Sequence, residues 1–425
     1  MASVDSVKTT VPKARKGVVS RKPRDPSWTV MVFMGATTFD GNVPLGSAAE
    51  SDLAEMTAIG SEAGRLNILV ERHDNTSARR YHIGNSQPGW TGSPDKKPPA
   101  ALGDGQALTR FVRDALRQAD HRPDDYTMLV LWGHAYEFAF GRRRERDGAV
   151  DALDFSELRD RLVDIQGEMF RQWYGEAPTY GVSLPKLDIV GFDACELSSV
   201  EMACQLAPCA RYLLGSEIGI PIPGWPYDRI LDRVKHNEED RPMGPAELGS
   251  YIVRRFCESY QAREPVSLTL LDLSYSADLV DRAEWLARML ARELGNPESA
   301  DHIALLFSQS QTEVGRPYVD VADLCVNLAR ESSSASIADA ATALGDLLVS
   351  PRPAVAGLSA TGAGRPLVVE HGRNAGALAR LHGLSLYAPH VAPGTDADAA
   401  ASLYDKFEFA QQTSWRDLVH TLARL

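Results

Sequence analysis

The chain has 425 residues, of which 44% are hydrophobic and 24% charged, so it can bury a large core. Its formal net charge of −12 argues against general nucleic-acid binding. Five scattered cysteines predict neither a disulfide framework nor a zinc site, and no apolar run resembles a signal peptide or a membrane span. We therefore expect a reduced, soluble, cytoplasmic protein without nucleic-acid or membrane partners.

The first 27 residues are polar, basic and interrupted by proline, which predicts a disordered basic tail over residues 1–27. A solvated tail is the interpretation that we favour over a docking or removable pro-segment. The rest of the chain is strongly acidic, and its field favours cationic substrates.

Six short apolar runs follow, and helical patterns separate several of them. Because the runs are continuously apolar rather than alternating, they predict strands covered on both faces. The β–α–β alternation predicts an α/β fold, with a mostly parallel sheet sandwiched by helices. The predicted strands are Thr29–Met34, Leu66–Glu71, Tyr126–Trp132, Leu187–Phe192, Tyr212–Ser216 and Val266–Leu273.

Beyond residue 275 the pattern becomes helix-rich, so we divide the chain into a core of residues 28–275 and a helical extension of residues 276–425. Predicted helices cover Ala277–Leu294, Asp301–Gln309, Tyr318–Arg330 and Ile337–Leu348, with a closing helix around Trp415–Leu422. The Gly/Pro-rich stretch Ser350–Gly376 predicts a loop. The segment 383–389 predicts one strand that the extension returns to the core.

Two reactive side chains follow predicted strands. His134 comes after the third strand through Gly133, and Cys195 comes after the fourth through Asp193 and Ala194. If those strands are neighbours, the imidazole and the thiol meet at the carboxyl edge of the sheet, where ligands bind in such folds. A base and the N-terminus of a following helix would both favour the thiolate. Without further information, a structural cysteine and a structural histidine are the commoner interpretation.

Several blocks of sequence around these residues resemble the clostripain-type (C11) cysteine peptidases of the caspase-like clan. The resemblance runs from about Trp28 to the C-terminus and implies a caspase-like fold. It also implies His134 as general base, Cys195 as nucleophile and Asp193 as the floor of the S1 pocket. The matching blocks are WTVMVFM, AESDLAEM, LNILVERHD, LWGH, FDAC with Glu201 downstream, GSEIGIPIPGWPYDRIL, YVDVADLC, GLSLYAP and FAQQTSW.

These assignments predict an endopeptidase that cleaves proteins after arginine or lysine. Asp193 and Cys195 are two residues apart, so on an extended segment they project to one side, and a substrate guanidinium could pair with the carboxylate. The alternative for Asp193 is a helix cap. By resemblance Ser216 is a candidate S1 wall, whereas Trp225 fits a core residue better.

Backbone N–H groups of Ala135 and Cys195 are the candidates for an oxyanion hole. Two positions depart from the family: Ala135 replaces a glycine, and Glu196 adds a negative charge after the nucleophile. These departures keep a second hypothesis open, a catalytically weak caspase-like scaffold that binds partners.

The segment Gly141–Gly148 carries four arginines between the two candidate catalytic residues. Similar peptidases are cut between these residues, so we predict self-cleavage, or cleavage by an upstream activating protease, after Arg144 or Arg146. An ordinary solvated charge run is the alternative. The resemblance also suggests a role in bacterial defence or cell death. We expect no cofactor, although the resemblance leaves structural calcium open.

Overall fold

The computed structural model describes residues 25–37, 45–74, 77–84, 88–89, 102–136, 138–143, 150–179, 181–237, 241–261, 264–313, 316–348, 367–374, 378–389 and 403–422. Of the predicted tail, residues 1–24 lie outside these ranges. Ser27 already belongs to the fold, because its amide donates to Asp125 Oδ1 at 2.8 Å and its carbonyl accepts from the amide of Tyr126.

The strands of the described residues form a nine-stranded sheet and two small ones. In chain order they are β1 (Trp28–Gly35), β2 (Leu66–His73), β3 (Ala78–Ile83), β4 (Pro88–Gly89), β5 (Tyr126–Trp132), β6 (Ala135–Tyr136), β7 (Ala139–Arg143), β8 (Val150–Asp154), β9 (Leu187–Asp193), β10 (Ala210–Gly215), β11 (Ser267–Asp272), β12 (Tyr318–Asp320), β13 (Val368–Arg373) and β14 (Ser385–Tyr387).

The large sheet has the order β13-β11-β10-β9-β5-β1-β2-β3-β4. Its five central strands, from β10 to β2, run parallel, and the strands at both edges pair antiparallel. All six predicted strands belong to it. The mixed sheet between helical layers confirms the predicted α/β class.

Helices cover both faces of this sheet. They are α1 (Gly46–Ile59), α2 (Gly105–Gln118), α3 (Phe155–Tyr174), α4 (Val200–Leu206), α5 (Tyr227–Lys235), α6 (Pro245–Ser259), α7 (Ser276–Glu293), α8 (Pro297–Gln309), α9 (Val321–Glu331), α10 (Ala335–Leu348), α11 (Glu408–Gln412) and α12 (Trp415–Leu422).

The two faces of β5 explain why its sequence is apolar throughout. Met128 and Val130 pack into the core with α1, α5 and α6, whereas Leu129 and Leu131 pack into the core with α2, α3, α4 and the C-terminal helices. A strand that is covered on both sides buries every residue, so its sequence does not alternate between apolar and polar positions.

The C-terminal half differs from its prediction in three places. Tyr318–Asp320, predicted as the start of a helix, forms strand β12, and the helix begins at Val321. The segment 383–389 forms β14, but β14 pairs with β12 in a separate two-stranded sheet rather than joining the large one. The strand that does complete the large sheet is β13, which lies in the stretch predicted as a loop and pairs antiparallel with β11. The sequence pattern did not reveal this strand, because glycines and prolines flank it and because edge strands tolerate weak apolar patterning.

Candidate active site

His134 and Cys195 follow neighbouring parallel strands, as predicted. Strands β5 and β9 pair in register, with Trp132 opposite Asp193. The amide of Gly133 donates to the carbonyl of Asp193 at 3.1 Å, so the turn before His134 is tied to the turn before Cys195. Both residues therefore emerge at the carboxyl edge of the sheet, where parallel α/β folds bind ligands.

Gly133 makes this arrangement possible. Its φ of 145° is a conformation that L side chains rarely adopt, and a Cβ atom there would lie 2.9 Å from the carbonyl oxygen of Gly35. The glycine therefore lets the chain pass close to β1 and turn directly into His134.

Cys195 is partly exposed and lies in a tight turn rather than at a helix start. Helix α4 begins at Val200 with Ser199 as its cap, so the predicted helix N-terminus next to the thiol is wrong. The amide of Ile220 donates to Cys195 Sγ at 3.3 Å. Burial raises the pKa of the thiol above its ordinary value, while this hydrogen bond lowers it and the charge of Glu196 raises it further.

Glu196 has a φ of 61°, a left-handed conformation that is uncommon outside glycine. Its amide donates to the carbonyl of Ile218 at 3.2 Å, and its Oε1 lies 2.9 Å from Nε of Arg316. The carboxylate that the sequence placed beside the nucleophile thus faces an arginine from the C-terminal half.

Asp193 is buried and accepts two hydrogen bonds, from the amide of Trp225 and from the hydroxyl of Tyr227, each at 3.1 Å. Its carboxylate does not cap a helix. Burial nevertheless raises the pKa of Asp193 to about 7, because the two donors offset only part of the desolvation. Trp225 is itself fully buried, as predicted, and its ring packs over Gly191 of β9.

Two further acids lie close to Asp193 and escaped sequence reasoning. Asp52 of α1 accepts from Trp132 Nε1 at 2.6 Å, and Glu55 accepts from the amide of Asp228 at 3.3 Å. Burial, followed by the charge of Asp193, raises the pKa of Asp52 to about 8. The block AESDLAEM was a usable signal, since two acids three residues apart share one helix face.

Ser216 and Glu217 close strand β10 and are both fully buried. Ser216 Oγ accepts from the amide of Ile218 at 3.2 Å, so the side chain braces the loop that leads to Ile220. Glu217 accepts from the amide of Gly383 at 2.7 Å and shares a hydrogen bond with Asp320. Burial and then the charge of Asp320 raise the pKa of Glu217 well above its ordinary value.

A hairpin directly follows His134. Ala135 pairs with Phe140 between β6 and β7, and β7 pairs with β8, so Gly141–Arg143 is strand rather than loop. The predicted cleavage positions Arg144 and Arg146 fall between β7 and β8, outside the described residues. Apart from glycines, the residues with positive φ in the described ranges are Asp120 and Glu196. Ala135 is not among them, so its backbone does not need the conformation that glycine favours.

A cavity of about 380 Å³ lies at the opposite edge of the sheet, lined by Tyr126, Thr127 and Asp188 at the amino ends of β5 and β9. Its position separates it from the strand ends that carry His134 and Cys195. In the described part of the chain, no cluster of three or more His, Cys, Asp or Glu side chains is arranged to hold a metal ion. No described helix has the length and apolarity that crossing a membrane requires.

Known proteins that resemble this chain belong to one family of peptidases. The family model described as Peptidase_C11, clostripain family, matches residues 39–348. A protein named clostripain from Hathewaya histolytica is 25% identical over 373 residues, which covers 75% of this chain and 68% of that protein.

Two solved structures share the fold. One is a secreted C11 cysteine protease from Bacteroides thetaiotaomicron with an irreversible peptide inhibitor, at a TM-score of 0.59 and 15% identity over 92% of this chain and 99% of the other. The second is an inactive zymogen C11 protease from Parabacteroides distasonis, at a TM-score of 0.57 and 16% identity over 92% and 99%. Since the family model covers most of the chain, this protein belongs to the clostripain family of cysteine endopeptidases.

Proposed function

We propose that this enzyme cleaves polypeptides after arginine, and less well after lysine, with Cys195 as nucleophile and His134 as general base. The observation that carries the proposal is the position of three residues at two paired strand ends. His134 follows β5, Cys195 follows β9, and the buried Asp193 ends β9. A histidine, a thiol and an acid at one sheet edge suit acyl transfer from a cationic substrate to the thiol.

The reaction proceeds through a thioester. His134 accepts the proton of Cys195, the sulfur attacks the scissile carbonyl, and the amide N–H groups of Ala135 and Cys195 stabilise the oxyanion. The C–N bond then breaks as His134 returns the proton to the leaving amine. Water, activated by the same imidazole, hydrolyses the acyl-enzyme and releases the free thiol.

Asp193 supplies the preference for a basic residue. In the free enzyme its pKa of about 7 leaves the carboxyl partly protonated at neutral pH. A substrate guanidinium favours the ionised form and can bind it with two hydrogen bonds, whereas the ammonium of lysine makes a single point contact. The bound cation also offsets the negative charge of the carboxylate near the thiolate.

Hydrolysis of a fluorogenic arginyl peptide tests the proposal. We expect turnover by the wild type, loss of at least about a thousandfold in Cys195→Ala and a comparable loss in His134→Ala. The matched control is Cys257→Ala, since Cys257 is also partly exposed but lies in α6. Full activity of Cys195→Ala in a preparation with a wild-type melting temperature would refute the assignment.

Proteolytic activation between the two catalytic residues is the second part of the proposal. One solved relative is described as an inactive zymogen, and the arginine-rich segment joins β7 to β8 shortly after His134. We expect mass spectrometry to detect cleavage after Arg144 or Arg146 in the wild type and an intact chain in Cys195→Ala. An intact wild-type chain that is fully active would exclude regulation by cleavage.

A weak catalyst that serves as a scaffold is the alternative function. The observation that favours it is the Glu196 carboxylate next to the thiol, which together with burial raises the pKa of Cys195. A properly folded wild type that binds arginyl peptides without hydrolysing them would support this alternative.

The setting of the activity completes the proposal. We infer an intracellular enzyme that acts in bacterial defence, controlled by self-cleavage or by an upstream protease, and independent of nucleic acid. The Bacteroides thetaiotaomicron relative, in contrast, is described as secreted. Cell fractionation tests the location. Activity in the presence of a chelator, before and after added calcium, tests whether calcium has a structural role.

A further inference from the structure

An arginine from the C-terminal half lies against the residue that follows the cysteine. Nε of Arg316 is 2.9 Å from Oε1 of Glu196, which is joined to Cys195 by a peptide bond. The Glu196 side chain is only 10% exposed, whereas that of Arg316 is 53% exposed. A nearly buried carboxylate without a cation would be strongly unfavourable, and its charge would act directly on the neighbouring sulfur.

The turn that carries Arg316 is held on three sides. The amide of Thr312 donates to the carbonyl of Tyr318 at 3.0 Å, and Nε2 of Gln311 donates to the carbonyl of Arg316 at 2.8 Å. The amide of Ala388, next to β14, donates to the carbonyl of Pro317 at 2.7 Å. The guanidinium therefore reaches Glu196 from a fixed support rather than from a free loop.

We propose that Arg316 is a positioning residue for the peptidase reaction, which neutralises Glu196 and holds it aside so that Cys195 can form its thiolate. The proposal rests on the proposed role of Cys195 as nucleophile. It explains how the chain tolerates an acid next to its cysteine, since the compensating cation comes from a segment about 120 residues away in the sequence.

The charges that surround the sulfur agree with this role. Burial is the largest effect on the Cys195 thiol and raises its pKa, and the hydrogen bond from the Ile220 amide lowers it. Among the charges, Glu196 and Glu313 raise this pKa and Arg316 lowers it. Removing Arg316 would leave two acids acting on the thiol without the opposing cation. Further titratable groups at this sheet edge are His134 and Asp193, which belong to the proposed reaction itself, and the acids Asp52, Glu55 and Glu217.

Alkylation of Cys195 by iodoacetamide, followed from pH 6 to pH 10 with peptide mapping by mass spectrometry, tests the proposal. We expect Arg316→Ala to move the apparent pKa of alkylation upward by about one unit, which is roughly a tenfold slower reaction near neutral pH. The apparent pKa of alkylation in Arg316→Lys should lie between those of the wild type and Arg316→Ala. The double variant Arg316→Ala/Glu196→Gln should return close to the wild-type profile, because the charge that needed neutralising is gone.

Arg380→Ala is the matched control, because Arg380 is 57% exposed and also pairs with a carboxylate, that of Asp323. It should leave the profile unchanged. If Arg316→Ala does not fold, Glu196→Gln alone serves as the second test, and we expect its alkylation to be faster than that of the wild type at the same pH. An unchanged profile in Arg316→Ala, or a double variant as impaired as the single one, would overturn the proposal.

The readout separates this inference from the proposed function. Alkylation reports thiol ionisation whether or not the enzyme turns over a peptide. A normal alkylation pattern without any hydrolysis would refute the peptidase proposal, whereas hydrolysis that is indifferent to Arg316 would refute only the present inference.

Discussion

Two buried carboxyl groups close adjacent strands of the sheet, and their surroundings differ in kind. Asp193, at the end of β9, receives an amide N–H from Trp225 and a hydroxyl from Tyr227. Glu217, just beyond β10, receives one amide N–H from Gly383 and faces a second carboxyl group, that of Asp320. Two direct donors stabilise an anion, whereas a second acid favours a shared proton.

The comparison assigns different tasks to the two acids. The pKa of Asp193 rises only to about 7, so this carboxylate becomes available to a cation near neutral pH. Burial and the charge of Asp320 raise the pKa of Glu217 well above its ordinary value, and its carboxyl ties the loop of Ser216–Ile220 to the segment around Gly383. In the proposed function Asp193 meets substrate, whereas Glu217 holds together the loop whose Ile220 amide contacts Cys195.

The largest expected effect comes from Asp193→Asn. If Asp193 pairs with the substrate guanidinium as proposed, removing its charge should lower kcat/KM for an arginyl peptide by about a hundredfold to a thousandfold, equivalent to roughly 3–4 kcal/mol. Asp188→Asn is the matched control, because Asp188 is a buried acid at the other end of the same strand, bonded to the amide of Thr127. Asp188→Asn should reduce the stability of the fold and leave kcat/KM near that of the wild type. Equal losses of kcat/KM in both variants would contradict a special role of Asp193 in substrate binding.

A smaller effect is expected in the pH dependence of substrate binding. Because the carboxyl of Asp193 has a pKa of about 7 without ligand and a lower one with a bound cation, KM should fall as pH rises through 7. Between pH 8 and pH 6 the expected change is about tenfold. Steady-state kinetics with an arginyl peptide measure it, and a KM that is flat over this interval would show that Asp193 is already ionised or does not meet substrate.

The smallest effect is expected for Glu217→Gln. A raised pKa in the folded state means that the native chain retains a proton which the unfolded chain loses, so this stability is present at low pH and fades as pH rises through the folded pKa. Glutamine keeps the hydrogen bonds without the titration. Its melting temperature should therefore decline less than that of the wild type between pH 6 and pH 9, by on the order of 2 °C. A larger decline of the melting temperature in the variant than in the wild type would contradict a proton shared between Glu217 and Asp320.

How far the sequence predicts this site depends on the distance between partners along the chain. The strand ends and the pairing of β5 with β9 were predictable, because continuous apolar runs and the β–α–β rule are local signals. The Glu217–Asp320 and Glu196–Arg316 pairs each join residues more than a hundred positions apart, and no local pattern marks them.

Two errors have the same origin. The start of α4 was placed too early, because a strand followed by polar and apolar residues gives no sign of the turn at Ala194–Glu196, where Glu196 takes a left-handed conformation. Strand β13 was missed because it is stabilised by pairing with β11 at a sheet edge, not by its own composition.

The measurement that tests the central claim most directly compares arginyl and citrullinyl peptides, which differ in charge but hardly in shape, on the wild type and on Asp193→Asn. We expect the wild type to prefer arginine by at least about a hundredfold in kcat/KM, and Asp193→Asn to turn over the two substrates within about threefold of each other. An arginine preference of the same size in Asp193→Asn would contradict this expectation, because the substrate charge would then be recognised elsewhere.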